Sequence, residues 1–127
     1  EAVNHRFGKS LRLLNASDYQ AVFDQSRLKV SNAELLFLAR HNSLPHPRLG
    51  LVIAKRNVRL AVERNRVKRV VRETFRQQQH HLVGIDVIVL ARRGVDKLDN
   101  QRLHDMCLSL WRQLEKRAEK QLRRRGE

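Results

Sequence analysis

A single cysteine, Cys107, occurs in the 127 residues, which excludes an intramolecular disulfide framework and any cysteine-based zinc cluster. Proline appears twice, at Pro45 and Pro47, and glycine five times, too few for a phosphate-cradling glycine loop. No repeat or low-complexity segment is present. The longest uncharged apolar runs, such as Val87 to Ala91, are strand-sized and far short of the roughly 18 residues of a membrane span. No positively charged start leads into an apolar signal segment, so the expected location is the cytoplasm. Acidic residues are the scarce charge: 13 Asp and Glu face 27 Lys and Arg, a net +14 at pH 7. Such an excess repels itself unless an anion compensates it, and nucleic acid, an anionic membrane or an acidic protein could do so. The charge spreads over the whole chain rather than one amphipathic helix, which favours nucleic acid. With hydrophobic residues at 41%, the cations decorate a folded surface. The length suits one domain over 1–127.

Residues 1–12 read as a basic arm. Asn15 is a good helix N-cap with Asp18 three residues on, and Tyr19, Val22 and Phe23 follow helical spacing to about 25–27. Strand-like segments follow at 28–30 and 34–40, broken by a turn at Ser31–Asn32. The two prolines impose an extended loop over 41–47, and 48–55 reads as a third strand, apolar on both faces as a buried strand would be. A helix is predicted over 60–79, a β-branched strand over 85–92, and a final helix over 100–122 with a frayed tail at 123–127. Leu103, Met106, Cys107, Leu110, Trp111, Leu114 and Ala118 form its apolar stripe. The order is α-β-β-β-α-β-α, and the third and fourth strands flank a helix, so they should run parallel.

The 60–79 helix carries the densest signal. At about 100° per residue from Arg64, Val70, Thr74, Val67, Val71 and Phe75 occupy an arc from about 240° to 20°. Arg64, Lys68, Arg72, Asn65, Arg76 and Arg69 occupy the adjacent arc, from about 0° to 140°. Like charges at i, i+4 cost a few tenths of a kcal/mol each. A merely solvated face would intersperse acids, yet Glu63 and Glu73 lie off the stripe. The stripe therefore reads as a ligand-binding face, and its arginines suit bidentate phosphate contacts. Lys55, Arg56 and Arg59 add cations at the start of the same helix, where free N–H groups also favour phosphate. Phe75 and Trp111 read as core, whereas Tyr19 and Phe23 admit either core packing or base stacking. His80, His81, His104 and Cys107 make no credible metal set. Asp86, Asp96 and Asp99 make no visible catalytic constellation. The chain should bind rather than cut.

Arg64–Asn65–Arg66–Val67–Lys68–Arg69 resembles the RNR signature of the bacterial ribonuclease P protein family. So do Leu11–Arg12–Leu13–Leu14, His46–Pro47–Arg48–Leu49–Gly50–Leu51, Ala54–Lys55–Arg56–Asn57–Val58–Arg59 and Ala91–Arg92–Arg93–Gly94. The similarity runs from about residue 6 to residue 117 and is closest to the proteobacterial form. It implies a two-layer α/β (α+β) sandwich with a four-stranded sheet and a left-handed βαβ crossover, the ribosomal protein S5 domain 2-like fold. It implies a non-catalytic partner of a catalytic RNA that removes the 5′ leader of precursor tRNA and accepts other structured RNA substrates. Lys55, Arg56, Arg59, Arg64, Asn65, Arg66, Lys68, Arg69 and Arg72 would contact the catalytic RNA. Tyr19, Phe23, Lys55, Arg92 and Arg93 would form the leader cleft, while Leu36 and Leu38 stand where some members carry an aromatic. Mg²⁺ would be bound mainly by RNA and not by the isolated chain. No membrane and no obligate protein partner are implied. The same charge pattern also suits a ribosomal or other structured-RNA-binding protein without a processing role, or a protein-only nuclease with a hidden site.

Overall fold

Asn15 starts the first helix as its sequence position predicts: its Oδ1 accepts from the Asp18 N–H at 2.9 Å, satisfying one of the unpaired donors of the first turn. In the computed structural model, which describes residues 11–13, 15–82 and 84–125, the elements are α1 (Ala16–Asp24), β1 (Leu28–Ser31), β2 (Leu35–His41), β3 (Arg48–Val52), α2 (Ala61–Gln78), β4 (Ile85–Ala91) and α3 (Asn100–Arg125). A single 3₁₀ turn, Val95–Lys97, precedes α3. The predicted order holds.

The strands form one sheet in the order β1-β2-β4-β3. β1–β2 and β2–β4 are antiparallel, and β3–β4 is parallel across the α2 crossover. Strand residues alternate between two environments. One face, with Leu35, Phe37, Val87 and Val89, packs under α2 and α3 and forms the main core. Trp111 is fully buried there, with its ring centroid 4.5 Å from Phe37 and 5.4 Å from Phe75. Its indole N–H donates to Thr74 Oγ1 at 2.9 Å, and the Thr74 hydroxyl lies 3.0 Å from the Val70 and Val71 carbonyls. Among the described residues the opposite face carries α1 and the segment before it, through a smaller cluster of Leu13, Val22 and Ile88.

Three boundaries depart from expectation. β3 stops at Val52 rather than residue 55, and it is an edge strand, half-buried instead of enclosed on both faces. The chain leaves it because Ala54 O accepts from the N–H groups of Asn57 and Val58, making a tight turn. The predicted arm is ordered at its end. Leu11 joins the main core and Leu13 the smaller one, and Leu13 N–H donates to Leu49 O on the outer edge of β3. The rest of the arm, 1–10, lies outside the described residues. α3 continues three residues past Leu122, to Arg125, so the first three residues of the predicted frayed tail are helical, and 126–127 lie outside the described residues.

Candidate nucleic-acid interface

Every residue assigned to the core arc of α2 is buried: Val67, Val70, Val71, Thr74 and Phe75. That burial turns the neighbouring arc outward. Asn65, Arg69, Arg72, Glu73 and Arg76 line an open groove of about 610 Å³. Glu73 belongs to this lining, whereas its helical angle alone sets it beside the stripe. Arg69 and Arg72 are exposed and Lys68 half-exposed.

Two arginines of α2, Arg64 on the stripe and Arg66 beyond it, also hold the fold. Arg64 Nη1 donates to the carbonyls of Val58 and Arg59 at 3.0 and 2.8 Å, so it locks the 55–59 loop onto α2. Arg66 is bound on all three nitrogens, to Glu63 Oε2 at 3.0 Å, Asn100 Oδ1 at 2.9 Å and the Asp96 carbonyl at 3.0 Å. It ties α2 to the start of α3, and Glu63 is engaged by it. Lys55, Arg56 and Arg59 are exposed around the turn. Asn57 anchors that turn by donating to the Ala91 carbonyl at 2.9 Å, which brings the loop beside the end of β4.

A second concave surface lies on the α1 face. Strand register stacks three rows across β2, β4 and β3: Arg40–Asp86–Arg48, Leu38–Ile88–Gly50 and Leu36–Leu90–Val52. α1 crosses the middle row. One flank reaches the ionic row, with Asp18 Oδ2 3.7 Å from Arg48 and Gln25 Oε1 2.6 Å from Arg40 Nη1. Phe23 lies about 140° around the helix from Asp18, turned away from the ionic row toward the half-buried third row. It is 42% exposed. Tyr19, one turn earlier, is half-buried against the small cluster, and its hydroxyl accepts from the Leu51 N–H at 3.2 Å. Phe23 can stack on a base; Tyr19 is chiefly part of the wall. Arg92 and Arg93 stand at the end of this floor, Arg93 exposed and Arg92 donating to the Asn32 carbonyl at 2.7 Å. Leu36 and Leu38 are half-buried floor residues.

Sequence reasoning missed the role of Asp86. Its carboxylate is fully buried and accepts from Arg48 Nε and Nη2 at 2.8 and 2.7 Å and from Asn42 Nδ2 at 2.8 Å. The hydrogen bond from Arg48 to Asp86, aided by that charge and by Asp18, raises the guanidinium pKa further against the opposing effect of burial. The only signal was an acid inside an otherwise apolar strand. Burial pushes the Cys107 thiol up to about 12, against a smaller opposing contribution from its hydrogen bond with Thr74. Among the described residues no group of three His, Cys, Asp or Glu could hold a metal ion. No described helix is long and apolar enough to cross a membrane.

The family model described as Ribonuclease P matches residues 7–115. The chain is 56% identical over 115 residues to the ribonuclease P protein component of Chromohalobacter salexigens, covering 91% of this chain and 90% of that one. It is 50% identical over 112 residues to the Pseudomonas aeruginosa component, covering 88% and 83%. Among solved structures, the Staphylococcus aureus RNase P protein aligns with a TM-score of 0.75 at 26% identity, over 82% of this chain and 94% of that one. The Thermotoga maritima RNase P protein aligns with a TM-score of 0.69 at 28% identity, over 80% and 96%.

Proposed function

The chain belongs to the ribonuclease P family as its protein component, and from that membership we propose a division of labour between its two faces. The protein is a subunit of the endoribonuclease that matures the 5′ end of tRNA, and it works with the ribonuclease P RNA. In our reading the α2 stripe and the 55–59 loop bind that catalytic RNA, with the exposed Arg69, Arg72 and Asn65 as the outward-facing contacts. Arg64 and Arg66 present and brace them. The α1 cleft receives the single-stranded 5′ leader of precursor tRNA, with Phe23 stacking on a base. Lys55, Arg92 and Arg93 flank the leader's phosphates.

The observation that carries this reading is the pairing of two unlike surfaces on one small sheet. A cationic helix face offers phosphate contacts alone. The cleft combines an apolar floor, an exposed ring and cations at its rim, which suits unpaired bases. Cation density also screens repulsion between the catalytic RNA and its substrate. Mg²⁺, a hard ion that takes oxygen ligands, belongs on RNA phosphates. Among the described residues the one buried carboxylate, Asp86, is already held by Arg48 and Asn42, and Glu73 stands among arginines. We place the protein in the cytoplasm beside its RNA, with other structured RNAs as further substrates and no obligate protein partner.

One assay tests the assignment. Precursor tRNA is incubated with the protein alone, with ribonuclease P RNA alone at low Mg²⁺, and with both. Enhanced cleavage by the pair is expected. Cleavage by protein alone would restore the nuclease reading, and no enhancement by the pair would favour a purely structural RNA-binding role.

A further inference from the structure

Beyond the cleft, the outer edge of β1 carries a second group of cations that neither surface above includes. Arg117, Lys120 and Arg124 of α3 share an arc of about 60° at 100° per residue. Glu115 and Glu119 fall on the opposite side of the helix on the same geometry. With Arg27 and Lys29 the three cations line a hollow of about 280 Å³ along β1. Lys120 and Arg124 are exposed, and Arg117 donates to the Lys29 main-chain carbonyl. The family match ends at residue 115, so these α3 cations lie past it. β1 and β3 are opposite edges of the sheet, which sets the hollow apart from the 55–59 loop.

Register connects the hollow to the cleft. Ser31 pairs with Leu36 and Lys29 with Leu38, so both residues share the sheet face that forms the cleft floor. A strand of RNA crossing the floor from β3 leaves it over Ser31 and meets Lys29 and the α3 cations next. Among the described residues no aromatic lines the hollow, so it suits phosphates rather than bases.

We propose that this hollow is an additional RNA-backbone site, taking the phosphates of leader nucleotides that extend upstream past the cleft. The proposal rests on the reading of the cleft as the leader groove. It makes affinity depend on leader length without depending on leader sequence in that stretch.

The test uses the reconstituted holoenzyme, under conditions that block cleavage, with three labelled tRNAs. One has no leader, one has a short leader confined to the cleft's span of about 14 Å across four strands, and one has a longer leader. The wild type should bind the long leader more tightly than the short one. The Lys120→Ala/Arg124→Ala variant should match wild type on the short leader and lose the added affinity for the long one. Each phosphate contact on a single strand contributes about 0.7 to the slope of log K against log salt, so two lost contacts flatten it by about 1.4. Between about 50 and 200 mM salt the variant should then lose about sevenfold less affinity than wild type. Equal long-leader binding by both proteins would overturn the proposal and leave these cations as a cover for the β1 edge. Weaker variant binding to the catalytic RNA without substrate would also overturn it, assigning the hollow to that RNA. Should wild type fail to distinguish the short leader from none, the cleft reading itself fails. A short-leader advantage with no further gain from length refutes the α3 site alone.

Discussion

Tyr19 is seated directly on Gly50: a Cβ at position 50 would stand 2.7 Å from Tyr19 Cζ and 2.9 Å from its hydroxyl oxygen. The missing side chain lets α1 approach β3 and lets the phenol reach the Leu51 N–H on the sheet edge. Gly50→Ala must therefore displace the ring, at a cost of about 1–3 kcal/mol as for other overpacked sites. We expect a lower denaturation midpoint and weaker leader discrimination together, since the wall of the cleft moves. Thermal unfolding and substrate affinity measured on one sample check this.

Asp86 and Arg48 are paired neighbours on parallel strands, and the fully buried carboxylate accepts two of its three hydrogen bonds from Arg48. Asp86→Ala leaves Arg48 without its main partner and should destabilise by about 3–5 kcal/mol. The hydrogen bond to Asp86 raises the guanidinium pKa in the folded state above its ordinary value. Its contribution is thus complete below that value and is lost only as pH rises past the folded one. Urea unfolding of the variant at pH 7 measures the loss, and a change below about 1 kcal/mol would contradict the assignment.

Phe23→Ala separates stacking from packing. A ring 42% exposed forfeits only part of its burial energy, so stability should fall by less than about 1.5 kcal/mol. Affinity for leader-bearing tRNA should fall by about 1–3 kcal/mol, the range of one base–aromatic stack, and affinity for mature tRNA should hardly change. Equal losses on both RNAs would remove Phe23 from the leader site.

Arg69 and Arg64 should behave differently although both lie on the stripe. Exposed Arg69→Ala should leave stability within about 0.5 kcal/mol and flatten the salt dependence of catalytic-RNA binding by about 1. Arg64→Ala should weaken binding and also loosen the 55–59 loop, because it frees the Val58 and Arg59 carbonyls. Amide exchange at Asn57 and Val58 reports the loosening, and unchanged exchange would show that the Asn57 bond alone holds the loop.

Cys107 should resist thiol reagents in the folded protein and react once unfolded, since burial removes both access and thiolate. Its folded pKa of about 12 lies above the ordinary 9.0. The stability this gives is therefore present below pH 9 and lost as pH rises toward 12. Cys107→Ala removes the titration, so the alkaline part of the stability profile should flatten in that variant.

Local pattern alone was enough for much of the molecule. Helical spacing placed the buried residues of α2 and the stripe of α3, apart from Met106, which is half-buried. β-branched runs placed the strands within a few residues. Asn15 was readable as a cap because its bond to the Asp18 N–H spans one turn. The end of β3 was not: the Ala54 turn that closes it is local, but the Asn57–Ala91 bond that anchors the turn joins segments 34 residues apart.

The same division runs through the interface. Position along α2 determined that Asn65, Arg69 and Arg72 face outward, because a helix with one apolar arc has one way to bury it. Only the tertiary structure decided that Arg66 serves the α2–α3 junction, 34 residues away at Asn100. Likewise it alone aligned Leu36, Leu90 and Val52 into a floor and set Tyr19 on Gly50. Those relationships depend on strand order and register, which follow from how the whole sheet closes over its core, and a shift of one residue would turn each side chain to the other face.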